Sequence, residues 1–92
     1  MSDQNVESVV LEKELEDRFS LVKKLFNCEI NITKEDYSYL IRISSKSKNS
    51  LGIRYIILEM KDNFMKEFNN INFTTKELSP LHFVVIVDIK KV

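Results

Sequence analysis

Residue types that build catalytic, metal and disulfide sites are scarce in this 92-residue chain. It has no tryptophan or alanine, and one residue each of cysteine, histidine, glycine and proline. A single cysteine excludes an internal disulfide, and one cysteine with one histidine cannot supply a clustered zinc site. Phosphate-binding loops need several glycines, and nucleophilic catalysis needs a nucleophile, a base and an orienting group. Because Cys28 lies far along the chain from His82, we expect a non-enzymatic protein without cofactor, metal or small-molecule substrate.

The charge balance is neutral, with fourteen basic and fourteen acidic residues. Dedicated nucleic-acid binders usually carry a basic excess, because phosphate contacts dominate their affinity. No apolar run approaches the roughly 20 residues that span a bilayer, and the N-terminus lacks the basic and apolar regions of a secretory signal. We therefore expect an intracellular protein, cytoplasmic or nuclear, that binds proteins rather than nucleic acids or membranes.

The composition, 43% hydrophobic and 30% charged, predicts a single globular domain over residues 1–92. We expect residues 1–5 to be disordered, 6–27 to be a helix and 28–92 to form an α+β body. Apolar residues recur in the helix at steps of three and four, and acids precede bases along it, which suits the helix dipole. The apolar stripe is broader than one small sheet requires, and such patches usually mark interfaces. The predicted homo- or heterodimer interface consists of Leu11, Leu15, Phe19, Leu21, Val22 and Phe26.

Three strands are predicted after the helix. Cys28–Thr33 and Tyr37–Ser44 alternate in polarity, whereas Leu51–Met60 is apolar on both faces, as in a central strand. Polar stretches at Lys34–Asp36 and Ser44–Ser50 predict hairpin loops. The remaining elements before the last segment are a short helix over Asp62–Phe68 and an extended segment or edge strand over Ile71–Thr75.

The last segment, Leu81–Val92, is the most apolar part of the chain. Its β-branched run favours a strand, and a helix remains the alternative. So apolar a strand must be covered on both faces. The predicted fold class is α+β, with an N-terminal helix, a three-stranded antiparallel meander, a short helix and a C-terminal strand that completes the layer.

A second possible site is the polar stretch Ser44–Ser50 with its flanking arginines. Its candidate anion contacts are Arg42, Lys46, Lys48 and Arg54, which would make the chain a nucleic-acid-contacting accessory domain. A flexible polar hairpin loop is the ordinary explanation. Tyr37, Tyr39 and Tyr55 could form an RNA-stacking sheet, but the glycine and aromatic pattern of such sheets is absent, which favours tyrosines packed across strands.

The stretch "VKKLFNCEINITKEDYSYLIRIS" followed by "GIRYIILEM" resembles the RWD-type globular heads of kinetochore coiled-coil proteins. The resemblance covers about Leu11 to Met60 and consists of an incoming helix, a short strand and two longer apolar strands. It implies a non-enzymatic head that dimerises and docks short peptide segments, and a final helix over the sheet. We therefore expect a protein-interaction module, either kinetochore-like or a small viral modulator of a host protein.

Overall fold

The computed structural model describes residues 3–46 and 51–90, which form two helices and one four-stranded antiparallel sheet. The α+β prediction is therefore confirmed. In chain order the elements are α1 (Asp3–Leu25), β1 (Cys28–Lys34), β2 (Ser38–Ser45), α2 (Leu51–Glu67), β3 (Ile71–Ser79) and β4 (His82–Ile89).

Helix α1 is longer at its start than predicted. It begins at Asp3, so residues 3–5 are helical rather than disordered. Its last helical hydrogen bond runs from the Phe26 N–H to the Val22 carbonyl.

The hairpin predicted after α1 is confirmed. Strands β1 and β2 pair antiparallel from Cys28 opposite Ser45 to Lys34 opposite Tyr39. The Glu35 N–H donates to the Ser38 carbonyl and closes the turn. Buried residues alternate along β2, as the sequence pattern predicts.

The prediction of a strand over Leu51–Met60 is wrong, because this stretch forms the first ten residues of helix α2. Its buried side chains are Ile53, Ile57, Met60 and Phe64, spaced at the three- and four-residue steps of a helix. The short helix predicted from Asp62 is the end of the same element. The described residues therefore form no three-stranded meander. The hairpin loop predicted over Ser44–Ser50 is not tested as a whole, because Ser44 and Ser45 end β2 and residues 47–50 lie outside the described residues.

The last segment is a strand, so the helical alternative for it is excluded over His82–Ile89. The sheet order is β1-β2-β4-β3, which places β4 between β2 and β3. Strand β3 extends to Ser79, beyond the short edge strand predicted, and Pro80 lies in the turn between β3 and β4. Proline suits this turn because it has no N–H to donate to a strand ladder.

Both helices cover the same face of the sheet. Tyr39, Val87 and Phe73 lie side by side across three strands. The Tyr39 hydroxyl donates to Glu12 of α1 at 3.4 Å, and the Phe73 ring stacks on Phe64 of α2 at 5.8 Å. The core lies between this face and the helices.

No described element covers the opposite face of the sheet. Strand β4 is therefore covered on one face only, and the expectation that it would be covered on both faces is wrong. It avoids being an aggregation-prone edge because a strand pairs with it on each side. Its outer residues Val84 and Ile86 are half-buried by their neighbours.

Candidate protein-binding surface

Four of the six residues predicted to form an interface lie inside the core of the single chain. Leu11, Leu15, Phe19 and Val22 are each no more than 2% exposed. They pack onto the inner face of the sheet with the buried side chains of α2 and the strands. The structure therefore assigns these four side chains to the fold, and they are not available to a partner.

The two other predicted interface residues lie beside a groove between the helices. Leu21 is 56% exposed, and Phe26 is half-buried just past the end of α1. The groove has a volume of about 290 Å³. Its lining is mainly apolar and consists of Leu21, Val22, Leu25, Ile56 and Met60, with Arg18, Glu59 and Asn63 as its polar members.

The walls of this groove are two antiparallel helices held together at both ends. At one end the Phe26 ring lies against Gly52 at the start of α2, so close that a Cβ atom on Gly52 would lie 2.5 Å from it. At the other end Arg18 donates to Glu67 at 2.9 Å and lies 5.0 Å from the centre of the Phe64 ring. The groove is therefore a fixed feature of the helical layer.

Arg18 is the main polar tie across the groove. It also donates to Glu14 of its own helix at 3.2 Å. Burial alone would lower the pKa of Arg18, but the hydrogen bonds to Glu67 and Glu14 raise that pKa above its ordinary value.

The outer surface of the helical layer is unusually apolar. Among the described residues, seven of the nine large hydrophobic side chains that are exposed belong to the two helices. Leu25 is 63% exposed and Tyr55 is 72% exposed. The helical members of this group are Val10, Leu21, Leu25, Leu51, Tyr55, Leu58 and Met65. Only Leu21 was identified from the sequence. The exposed apolar residues of α2 would have been found if its helical period had been recognised, because apolar residues off its buried stripe would then be assigned to the surface.

The structure does not bring the candidate anion contacts together. Arg42 lies on the open face of the sheet, opposite Asn31 and Val84. Arg54 lies on α2 and forms an ion pair with Glu77 of β3. These two arginines are on opposite layers of the fold.

The two lysines of the predicted anion site add nothing to it. Lys46 forms an ion pair with Glu29 at 3.5 Å. Lys48 lies outside the described residues. A site built from this set would have to combine groups that the fold separates or neutralises.

The three tyrosines are also separated and form no common stacking platform within the described residues; Tyr39 alone packs across strands on the inner face, beside Val87. Tyr39 is buried on the inner face of the sheet, Tyr37 is exposed before β2, and Tyr55 is exposed on α2. The open face carries a shallow depression of about 680 Å³ between Leu40, Arg42, Leu78 and Val84. Without an aromatic platform this face lacks the feature that single-stranded RNA usually requires.

Cys28 and His82 do not form a catalytic pair. Cys28 lies buried on the inner face of β1, and its thiol points to the Val22 carbonyl at 4.0 Å. Desolvation raises the pKa of this thiol, although nearby Lys23 and Lys46 oppose the shift. His82 is exposed two strands away, where it shares a hydrogen bond with Ser79 at 2.8 Å. Within residues 3–46 and 51–90, no three His, Cys, Asp or Glu side chains are grouped to hold a metal ion.

Neither helix of the described chain is long and apolar enough to cross a membrane. No family model matches the sequence, and neither the curated proteins nor the solved structures contain a significant match to it.

Proposed function

We propose that this chain is a non-enzymatic protein-interaction module that dimerises and docks an amphipathic helix of a partner protein in the groove between α1 and α2. The observation that carries this proposal is the concentration of exposed apolar side chains on the two helices that form this groove, of which Leu21 and Leu25 line it. Exposed apolar patches of this kind mark interaction surfaces far more often than scattered single residues do.

The shape of the groove favours a helical partner. It runs between two antiparallel helices, and a third helix can pack over such a pair with its apolar side chains between theirs. Leu21 and Leu25 lie one turn apart on one wall, and Ile56 lies on the other. Apolar residues at three- and four-residue steps on a partner helix would match this spacing.

The apolar area left exposed contributes to binding. Fully burying a leucine is worth roughly 1.5–3 kcal/mol, so covering the exposed parts of Leu21 and Leu25 would contribute about 1–2 kcal/mol each. Tyr55 is exposed on the outer surface of α2 outside the groove lining and is an aromatic residue, a type common in binding hot spots. A micromolar complex needs about 8 kcal/mol, so the two leucines would supply only part of the binding free energy and the other contacts of the partner the rest.

The resemblance to RWD-type heads remains a hypothesis. Helix α2 replaces one of the strands on which it was based, whereas the incoming helix and the first hairpin agree with it. A kinetochore-like head and a small viral modulator of a host protein are both interaction modules, so both agree with the proposed function. We also propose that the protein acts inside the cell, in the cytoplasm or nucleus.

The test uses a display library of helical peptides selected on the intact protein. We expect enriched peptides with apolar residues at helical spacing and micromolar affinity by fluorescence anisotropy. Leu25→Lys should weaken their binding at least about tenfold, which corresponds to roughly 1.4 kcal/mol. Leu78→Lys is the matched control, because Leu78 is 67% exposed but lies on β3, away from the groove. Equal binding to both variants would contradict the groove assignment.

The salt dependence of binding distinguishes this proposal from the nucleic-acid alternative. If the chain bound a generic oligonucleotide through Arg42 and Arg54, log affinity would fall steeply with log salt concentration because counterions are released. We expect no measurable oligonucleotide binding at physiological salt, since these arginines lie on opposite layers. Tight and strongly salt-dependent binding would favour the alternative.

A further inference from the structure

Strand β1 is an unprotected edge of the sheet. Its seven residues pair with β2 in continuous register, without a bulge. The other edge strand, β3, has a register shift between Glu77 and Ser79, and Glu77 is also tied to Arg54. Bulges and charged side chains are the usual devices that stop an edge strand from pairing with another chain. Strand β1 has no bulge, and its two charged residues lie near its ends: Glu29 pairs with Lys46 and Lys34 pairs with Glu12, so residues 30–33 in its middle carry no charge.

The register shows which backbone groups β1 leaves free to pair. The Lys46 N–H donates to the Asn27 carbonyl, and the Glu35 N–H donates to the Ser38 carbonyl. Hydrogen-bonded pairs alternate along an antiparallel ladder, so Glu29, Asn31 and Thr33 bond to β2. The residues whose N–H and carbonyl groups point away from the sheet are therefore Cys28, Ile30, Ile32 and Lys34.

We propose that two copies of this chain dimerise by antiparallel pairing of their β1 strands about a two-fold axis at Asn31, forming one eight-stranded sheet. This register places Ile30 opposite Ile32 of the second copy, and Cys28 opposite Lys34. All four outward-pointing residues then exchange backbone hydrogen bonds. This dimer rests on the proposed function, which combines self-association with docking of a partner helix. It supplies the interface for the self-association.

The side chains of β1 favour this pairing. Ile30 and Ile32 face the core side of the sheet, where they pack against the core but are only partly buried. Pairing across the axis would place each isoleucine against its counterpart and cover its exposed edge. On the open face the two Asn31 side chains would meet at the axis, where their amide groups can hydrogen-bond to each other.

The position of helix α1 over the sheet sets the spacing of the two copies. If each helix covers two of the four strands, about 9.6 Å of sheet, the two α1 helices would lie about that far apart across the axis. Packed helices are separated by 8–10 Å, so the two α1 helices would then be in contact.

Charges along the outer side of α1 are complementary about the same axis. Glu12 forms an ion pair with Lys34 at one end of β1, and Lys23 lies close to Cys28 at the other end. The exposed Glu16 follows Glu12 by one helical turn. Because the axis makes the two α1 helices antiparallel, the acidic part of one faces Lys23 of the other.

The size of this contact predicts a moderate affinity. A seven-residue edge is about 23 Å long, and with the adjoining part of α1 the contact would cover on the order of 1,000 Å² in total. This lies at the low end for specific interfaces, so we expect dissociation in the micromolar range.

Sedimentation of charge variants tests the pairing. We expect wild-type protein to shift from monomer to dimer between about 5 and 200 µM. Asn31→Lys and Asn31→Glu should each weaken the dimer at least about tenfold, because each places like charges against each other at the axis. Mixing the two variants should restore a dimer. The matched control is Asn72→Lys, an exposed position on the open face of the other edge strand, which should dimerise as wild type does.

The outcomes distinguish the proposed β1 dimer from the docking of a helix in the groove. A wild-type protein that stays monomeric, or an Asn31→Lys variant that dimerises normally, would overturn the β1 pairing. If Asn72→Lys lost the dimer instead, the contact would lie at β3, and the proposed β1 pairing would be overturned as well. Asn31→Lys should still bind the helical peptides and Leu25→Lys should still dimerise, so the groove can fail or hold independently.

Discussion

Shortening Val85 to alanine measures what the central strand contributes to the fold. Val85 is fully buried at the middle of β4, where Ile41 of β2 and Thr75 of β3 lie opposite it. Its neighbour Val84 points to the open face and is only half-buried. The same substitution at these two adjacent positions compares the two faces of one strand.

The expected cost follows from the atoms removed. Two buried methyl groups are worth roughly 0.8 kcal/mol each, and the cavity left among rigid strands adds to this. We expect Val85→Ala to lower the free energy of unfolding by about 2–3 kcal/mol. A domain of this size has a total of about 5–14 kcal/mol, so the midpoint of thermal unfolding should fall by about 8–20 °C. Val84→Ala should cost less than about 1 kcal/mol, because water already reaches its side chain.

Urea denaturation followed by circular dichroism is the assay. The slope of the free energy against urea should not change between variants, so the shift in midpoint reports stability alone. Equal losses for Val84→Ala and Val85→Ala would refute the assignment of faces, because they would mean that the open face is covered as completely as the inner one.

A truncation, a substitution and a thiol modification test other parts of the fold. Ending the chain after Pro80 removes the strand that joins β2 to β3, and should give an unfolded or aggregated product; cooperative melting of the truncated protein would contradict this. Gly52→Ala should lower stability by about 1–2 kcal/mol because its Cβ meets the Phe26 ring, and Phe26→Leu should recover part of the loss; unchanged stability in Gly52→Ala would mean that the ring moves freely. The thiol of Cys28 should react with alkylating reagents only on unfolding. Because the pKa of this thiol is raised in the folded protein, its contribution to stability should be full below the ordinary thiol pKa of about 8.5. Stability should then fall as the pH rises from there through the raised pKa. The Cys28→Ala variant should not show this decline.

The elements that the sequence predicts correctly are those with one clear period and tight local turns. The alternation of β2 and the steps of three and four in α1 each admit one structure. Strand β4 was decided by its β-branched residues, since its periodicity alone also allowed a buried helix. The order of strands was not predictable, because β4 pairs with β2 across an intervening helix and strand.

The candidate site was harder to predict because the sequence does not show which apolar residues of the α1 stripe are buried in the core and which are exposed. The width of the α1 stripe predicted an interface, but four of the six residues assigned to it belong to the core. Arg42 and Arg54 are close in sequence and lie on opposite layers because a helix begins between them. Sequence proximity indicates a shared site only when the connecting structure is known.

The error at Leu51–Met60 has the same physical cause as the proposed binding surface. In a helix that is polar on its outer side, buried positions such as Ile53 and Ile57 would stand out at helical spacing. Here Leu51, Tyr55 and Leu58 are apolar as well as exposed, so the stretch has apolar residues on both faces and matches a central strand. Local pattern and final structure usually agree, and positions where they conflict tend to serve function rather than folding. Leu51, Tyr55 and Leu58 therefore belong to the exposed apolar surface of the helical layer, outside the groove that Leu21, Leu25 and Ile56 line.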